Sequence, residues 1–360
     1  MKKIRIGING FGRIGRMIFR AALERSDMEI AGINDLLDIN YIAYLIKHDS
    51  VHGKFKYDIK IQNNQLIIND TSIRITSEKD PSRLKWNELN IDFVVEATGR
   101  FLTHEKAQAH LEAGAGKVIL SAPSEDNTPM FVYGVNHQDY ANEPIISNAS
   151  CTTNCLAPLV KIINDQFGIK EGLMTTIHPV TISQNLTDGY SKRDFRAGRA
   201  GLTNIIPYRT GAAKSIGRII PELNEKLTGI CFRIPTLDVS AIDLSVELST
   251  PASYDEICTL IKDQSLGDMK GIIGYLDSDV VSSDLLGEKT PSLFDAKAGL
   301  AVSDTFFKII AWYDNETGFS NQLLNMIRYI GDSDLRKENA KRSASSLRKG
   351  YYREYTNTFT

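Results

Sequence analysis

Cysteine is scarce, with four residues in 360, at positions 151, 155, 231 and 258. That spacing is too sparse and uneven for a disulfide framework, and no CxxC pair offers a structural zinc site. A reducing, cytoplasmic setting is expected, and no metal-ligand set is read. Net charge is also nearly absent: 42 Lys+Arg against 44 Asp+Glu leave −2, so no global basic field holds nucleic acid or anionic lipid. No apolar run approaches the roughly 18 residues that span a bilayer. The opening Met1-Lys2-Lys3 leads into Gly7, Asn9, Gly10 and Gly12 instead of an apolar signal core, and a soluble, unexported protein is expected. No fixed-period repeat or low-complexity tract occurs. Hydrophobic residues at 42% and charged residues at 24% are the proportions of folded globular chains, and the length exceeds one hydrophobic core, so two domains are expected.

The order of periodicities sets the fold class. Ile4, Ile6 and Ile8 alternate as in a strand, and Ile14, Met17, Ile18 and Ala21 follow on a helical stripe. Further strands are expected at Glu29–Ile33, Phe93–Val95 and Val118–Leu120, the last two as runs buried on both faces. Alternating strands and helices imply an α/β doubly wound parallel sheet over residues 1–150. Beyond it, a helix from Cys151 to about Phe167 precedes strands at Leu173–His178, Cys231–Ile234, Ala241–Leu248 and Phe306–Tyr313. Their period-two patterning predicts an α+β domain over 151–317 with a mostly antiparallel or mixed sheet. A helix over 318–332 is expected to pack back on the first domain. Residues 179–203 form a long irregular stretch, and 333–360 form a basic extension carrying Tyr351, Tyr352 and Tyr355.

Gly10-Phe11-Gly12-Arg13-Ile14-Gly15 follows the first strand and opens the first helix. The first glycine suits a tight turn, the second close approach to a pyrophosphate, and the third helix–strand packing, with the helix N-terminus supplying N–H donors. Asp35, 20 residues after Gly15 at the end of the next strand, is placed to accept from a ribose 2′-OH and to repel a 2′-phosphate. This reads as a Rossmann site for NAD.

Cys151 opens a helix after Ser147-Asn148-Ala149-Ser150. The helix dipole and free N–H groups there favour thiolate and suit an oxyanion. A lone cysteine also reads as a small buried hydrophobe, and Cys155 is read that way. His178, at the end of a strand in the second sheet, is the candidate general base.

Four motifs carry a resemblance: Asn9 to Arg16, Ser147 to Leu156, Thr210-Gly211-Ala212-Ala213-Lys214, and Trp312-Tyr313-Asp314-Asn315-Glu316. In this order the chain, from residue 3 to about 330, resembles phosphorylating glyceraldehyde-3-phosphate dehydrogenases of glycolysis and gluconeogenesis. The resemblance implies that Cys151 attacks the aldehyde, that His178 takes the hydroxyl proton, that hydride passes to NAD, and that inorganic phosphate cleaves the resulting thioester. It implies Thr181 and Arg233 as substrate-phosphate residues, and Ser150, Thr152, Thr210 and Gly211 around the inorganic phosphate. It adds Thr98, Gly99, Ser121 and Asn315 to Gly10, Gly12, Arg13, Ile14, Gly15 and Asp35 as the cofactor set, with Asn315 holding the nicotinamide carboxamide. It also implies a homotetramer, with 179–203 as a subunit-contact loop, and neither membrane nor nucleic acid as partner. Erythrose-4-phosphate dehydrogenase, or a non-catalytic NAD- or nucleic-acid-binding protein reusing the fold, are the alternatives. Pro179, Tyr190, Tyr208 and Arg209 depart from the family pattern, which leaves substrate and NAD/NADP preference open at those positions. Trp312 and Tyr313 read as core.

Overall fold

The alternation at Ile4, Ile6 and Ile8 forms the central strand of the first sheet in the computed structural model, which describes residues 3–191 and 194–334. Eight strands make this sheet: β1 (Ile4–Asn9), β2 (Met28–Asn34), β3 (Lys60–Gln62), β4 (Gln65–Ile68), β5 (Thr71–Thr76), β6 (Phe93–Glu96), β7 (Lys117–Leu120) and β8 (Ile145–Ser147). Their order is β3-β4-β5-β2-β1-β6-β7-β8. Every pair from β5 to β8 is parallel, and β3 and β4 add an antiparallel hairpin at one edge.

Apolar residues on both sides of each central strand explain why both faces are covered. Ile30, Phe93 and Val95 enter one core with Ile18 and Phe19 of helix α1 (Arg13–Leu23) and Ile42 and Ile46 of α2 (Ile39–Lys47). Their neighbours Ala31 and Val94 face the opposite way, into a cluster around Trp86. Helix α3 (His104–Glu112) adds Ala107 against Val118 and Leu120.

The second sheet holds β9 (Ile169–Pro179), β10 (Ile206–Tyr208), β11 (Leu227–Ile234), β12 (Ser240–Leu248), β13 (Ile273–Leu276), β14 (Ser292–Ala301) and β15 (Phe306–Tyr313). Its order is β10-β11-β9-β12-β15-β14-β13, mixed and mostly antiparallel, with β11–β9 and β13–β14 parallel. Helix α4 (Cys151–Phe167) lays Leu156, Leu159, Val160 and Ile163 on Ile242, Leu244, Phe307 and Ile309. Two shorter helices, α5 (Ala212–Ile219) and α6 (Tyr254–Leu266), complete that layer.

Residues 317–334 form a closing helix, α7, whose Phe319, Leu323, Leu324 and Ile327 are buried in the core of the first sheet. Ser333 and Asp334 therefore extend this helix instead of opening the tail, and Asp334 lies 3.6 Å from Lys117 Nζ. The basic extension from 335 onward lies outside the described residues. Among the described residues no helix is long and apolar enough to cross a membrane.

Candidate active site

The candidate nucleophile, Cys151, stands on a fixed turn. Ser150 caps α4, its Oγ accepting from Thr153 N–H at 3.1 Å. Asn154 Nδ2 reaches back to the carbonyls of Asn148 and Ser150 at 2.7 and 2.9 Å. Ala149 is held at φ 57°, a left-handed conformation that a Cβ-bearing residue adopts only where its surroundings dictate it. Cys151 follows as the first helical residue, and it touches the hydrophobic cores of both sheets. It sits on the seam between the domains.

His178 arrives from the second sheet, near the end of β9, with Nε2 3.6 Å from Cys151 Sγ. Burial of the sulfur outweighs the Arg233 charge and the helix N–H groups, and pushes the thiol up to about 11. That direction favours the thiol, with His178 Nε2 within reach of its proton. Burial first, and Arg233 second, hold His178 down to about 3, so the ring is neutral at pH 7. The Pro179 carbonyl lies 2.9 Å from Nδ1; a proton donated there leaves Nε2 free to accept one from sulfur.

Arg233 lies beside His178 by register, the two facing each other across parallel β11 and β9. Its Nη1 contacts His178 Nδ1 and donates to Pro179 O at 3.0 Å. The phenol of Tyr313, expected as plain core, is buried but bridges Thr152 Oγ1 at 2.7 Å and Thr176 Oγ1 at 2.8 Å. It ties the first turn of α4 to the strand that carries His178.

The glycine turn fits a dinucleotide. Gly10 has φ +91°, and a Cβ there would meet the Ala97 and Thr98 backbone. A Cβ on Gly15 would strike the Gly10 carbonyl, whereas at Gly12 it would meet nothing within 4 Å, which is the open approach a pyrophosphate needs. No side chain caps α1 and no acid lies in its first turn, so its N–H groups face the crevice unspent. Asp35 accepts from Phe11 N–H at 2.6 Å and Leu37 N–H at 3.0 Å, fixing its carboxylate beside the turn.

Two family descriptions match the chain: "Glyceraldehyde 3-phosphate dehydrogenase, NAD binding domain" over residues 4–104, and "Glyceraldehyde 3-phosphate dehydrogenase, C-terminal domain" over 150–315. The glyceraldehyde-3-phosphate dehydrogenase of Escherichia fergusonii is 57% identical over 327 residues, 91% of this chain and 99% of that protein. Glyceraldehyde-3-phosphate dehydrogenase A of Escherichia coli K12 and the Salmonella typhimurium enzyme are each 56% identical over the same lengths. The chain belongs to the glyceraldehyde-3-phosphate dehydrogenase family.

Within this family frame the structure gathers Cys151, His178 and Arg233 tightly and distributes the other sequence candidates around them. Thr210 Oγ1 accepts from Ala212 N–H at 3.2 Å, and Gly211 caps α5 with open space at its Cβ position. Thr181 turns its hydroxyl to Ser183 and Gln184, at 2.9 and 3.0 Å. Asn315 is buried and its Oδ1 accepts from Ser240 Oγ at 2.8 Å, which leaves Nδ2 as the donor end. Ser240 follows Val239, a β-branched residue at φ 63°. Ser121 Oγ donates to Glu96 O at 3.0 Å, and Thr98 bonds the Glu96 carboxylate. Gly99 has φ +68° with nothing near its Cβ position. Ile14 packs against the first core, and the backbone N–H of Arg13 belongs to the uncapped first turn of α1. Its guanidinium pairs with Asp49 and Glu316 and so ties the first domain to the second.

Two polar networks escaped the sequence reading. Behind the strand ends, Asn9 Nδ2 donates to Glu96 at 2.6 Å, Asn34 Nδ2 donates to Asn9 Oδ1 at 2.7 Å, and His110 Nε2 lies 3.0 Å from Glu96. These buried residues lock β1, β2 and β6 together at the crevice. At the domain seam, His52 Nε2 lies 2.9 Å from Glu316 and 3.2 Å from Asp238, with Asp314 nearby. Burial works against the imidazolium, but the bonded Asp238 and Glu316 outweigh it and raise His52 to about 9. Burial, and then Asp238, raise Asp314. The signal for this cluster lay in the Asp314-Asn315-Glu316 motif, read only for its asparagine.

Proposed function

We propose that the chain oxidises glyceraldehyde 3-phosphate to 1,3-bisphosphoglycerate with NAD and inorganic phosphate. The observation that carries this reading is the neutral His178 imidazole 3.6 Å from the partly buried Cys151 thiol, with Arg233 beside them and the glycine turn of the cofactor domain across the seam. His178 Nε2 takes the proton from Cys151 Sγ as sulfur attacks the aldehyde carbon, forming a thiohemiacetal. The first-turn N–H groups of α4 face the developing oxyanion. His178 returns that proton to the oxyanion, giving the hydroxyl, and then removes it again as hydride leaves carbon; NAD, when bound, supplies the hydride acceptor. Phosphate oxygen attacks the thioester carbon, the C–S bond breaks, and sulfur regains a proton from His178.

In this reading Arg233 and Thr181 receive the substrate phosphate, while Ser150, Thr152, Thr210 and Gly211 border the attacking phosphate. Gly10, Gly12, the Arg13 backbone, Ile14, Gly15, Asp35, Thr98, Gly99 and Ser121 line the dinucleotide, and Asn315 Nδ2 donates to the carboxamide. The cofactor domain ends near residue 150 and the catalytic domain runs to about 317. The enzyme works in the cytoplasm as a homotetramer. Support for assembly comes from the loop after His178, where Ile182 is 97%, Phe195 96% and Tyr190 84% exposed. Apolar groups so exposed on one loop ask for a partner surface.

The test is NADH formation with glyceraldehyde 3-phosphate, with and without phosphate, beside NADP and erythrose 4-phosphate. Phosphate-dependent turnover that falls at least roughly 10³-fold in Cys151→Ser is expected. Equal rates with erythrose 4-phosphate, or undiminished turnover by the variant, would overturn the reading.

A further inference from the structure

Arg233 has a problem of support. Among the described residues its Nε is buried without a hydrogen-bond partner, and its Nη1 has only the Pro179 carbonyl and the edge of His178. Two polar contacts at one end of a planar fork leave the side chain free to swing. The face of the guanidinium is held by Tyr208, whose ring centroid lies 5.3 Å from Cζ. Register explains the meeting: Tyr208 faces Cys231 across the β10–β11 pair, and Arg233 is two residues further along, on the same face of the sheet.

Where Arg233 sits matters because Nδ1 of His178 has two claimants. It donates to the Pro179 carbonyl at 2.9 Å, or it accepts from Arg233 Nη1, and it cannot do both. In the first state Nε2 is the bare acceptor that faces sulfur. In the second, a neutral ring carries its proton on Nε2 and cannot take another from the thiol. The other charged or titratable groups acting on this pair are Glu316, Tyr313 and Cys155.

We propose that Tyr208 is a positioning residue for the reaction: its ring face holds the Arg233 guanidinium beside His178 and Cys151, ready for the substrate phosphate. The clamp rests on the proposed dehydrogenase reading for its effect on turnover, but not for its effect on thiol reactivity. An arginine stacked on a ring meets a phosphate with less entropy to lose. Its charge also bears on both reacting groups, lowering the thiol and the imidazole alike.

The test compares Tyr208→Ser and Tyr208→Phe with the unaltered enzyme in two assays. In steady state, Tyr208→Ser is expected to raise KM for glyceraldehyde 3-phosphate about five-fold, the worth of a partly buried cation–π contact, with a smaller change in kcat. Tyr208→Phe, which keeps the ring, restores the original KM. Alkylation of Cys151 by iodoacetamide, followed against pH without substrate, reports the field of Arg233 directly. Its midpoint is expected to move up by about half a pH unit in Tyr208→Ser and to stay in place in Tyr208→Phe. An unchanged midpoint in Tyr208→Ser, or the same shift in both variants, would overturn the clamp. Absent turnover in the unaltered enzyme would sink the dehydrogenase reading, and the alkylation profiles would still decide the clamp.

Discussion

A thiol pushed up to about 11 beside an imidazole held down to about 3 is a pair that stores its proton on sulfur until a substrate arrives. The sequence made both residues visible through a helix start and a strand end, and showed the helix dipole that favours thiolate. A helix dipole can be read from sequence, whereas enclosure of the sulfur at a seam between two cores cannot. The same blindness hid Asn9, Glu96 and His110, which look like surface residues until the strand ends bury them. His52 offers a prediction at this scale. Its pKa is raised from 6.5 to about 9 in the folded chain, so its contribution is fully present below pH 6.5 and is lost as pH rises through 9. His52→Gln should therefore be less stable than the unaltered protein at pH 6, and the gap should close by pH 10. Thermal unfolding of both proteins at the two pH values measures it, and a gap independent of pH would remove the ion-pair role.

At the scale of elements, α4 and β15 were read to the residue because their signals are local. Ser150 caps the first, and clean alternation with a buried face marks the second. Lys60–Gln62 has no buried residue, so it carried no alternation to read, and the β3–β4–β5 hairpin edge emerged only from pairing. The irregular loop after Pro179 is organised by backbone contacts, such as Gly189 N–H to Gly198 O at 2.8 Å, that no periodicity announces. Ser150→Ala removes the acceptor for Thr153 N–H and should cost about 1 kcal/mol, read as a lower urea midpoint. The closing helix is a deeper commitment. Leu323 is fully buried under the first sheet, and Leu323→Ala should cost about 2–5 kcal/mol. A loss below half of that would mean that the helix is a loosely attached strap.

Across the whole molecule, the two domains meet through Met130 and Val132, which enter the core of the second sheet, through Arg218 on Ser124 and Thr128, and through charged side chains at the seam. Arg13 and His52 from the first domain grip Asp238 and Glu316 from the second, immediately beside Asn315. The seam contacts and the buried Asn315 side chain are thus held by adjoining residues of one segment. The loop after His178 adds a third surface, and size-exclusion chromatography with light scattering should give four chains. A monomer at micromolar concentration would leave the exposed Ile182, Tyr190 and Phe195 unexplained.

The most direct measurement is a rapid-mixing experiment with NAD and glyceraldehyde 3-phosphate in the absence of phosphate, followed by phosphate addition. About one NADH per active chain should form in a burst and then stall, with the acyl group on the peptide that contains Cys151, and phosphate should restart turnover. Steady turnover without phosphate, or an acyl group on any other residue, would contradict a Cys151 thioester resolved by phosphate.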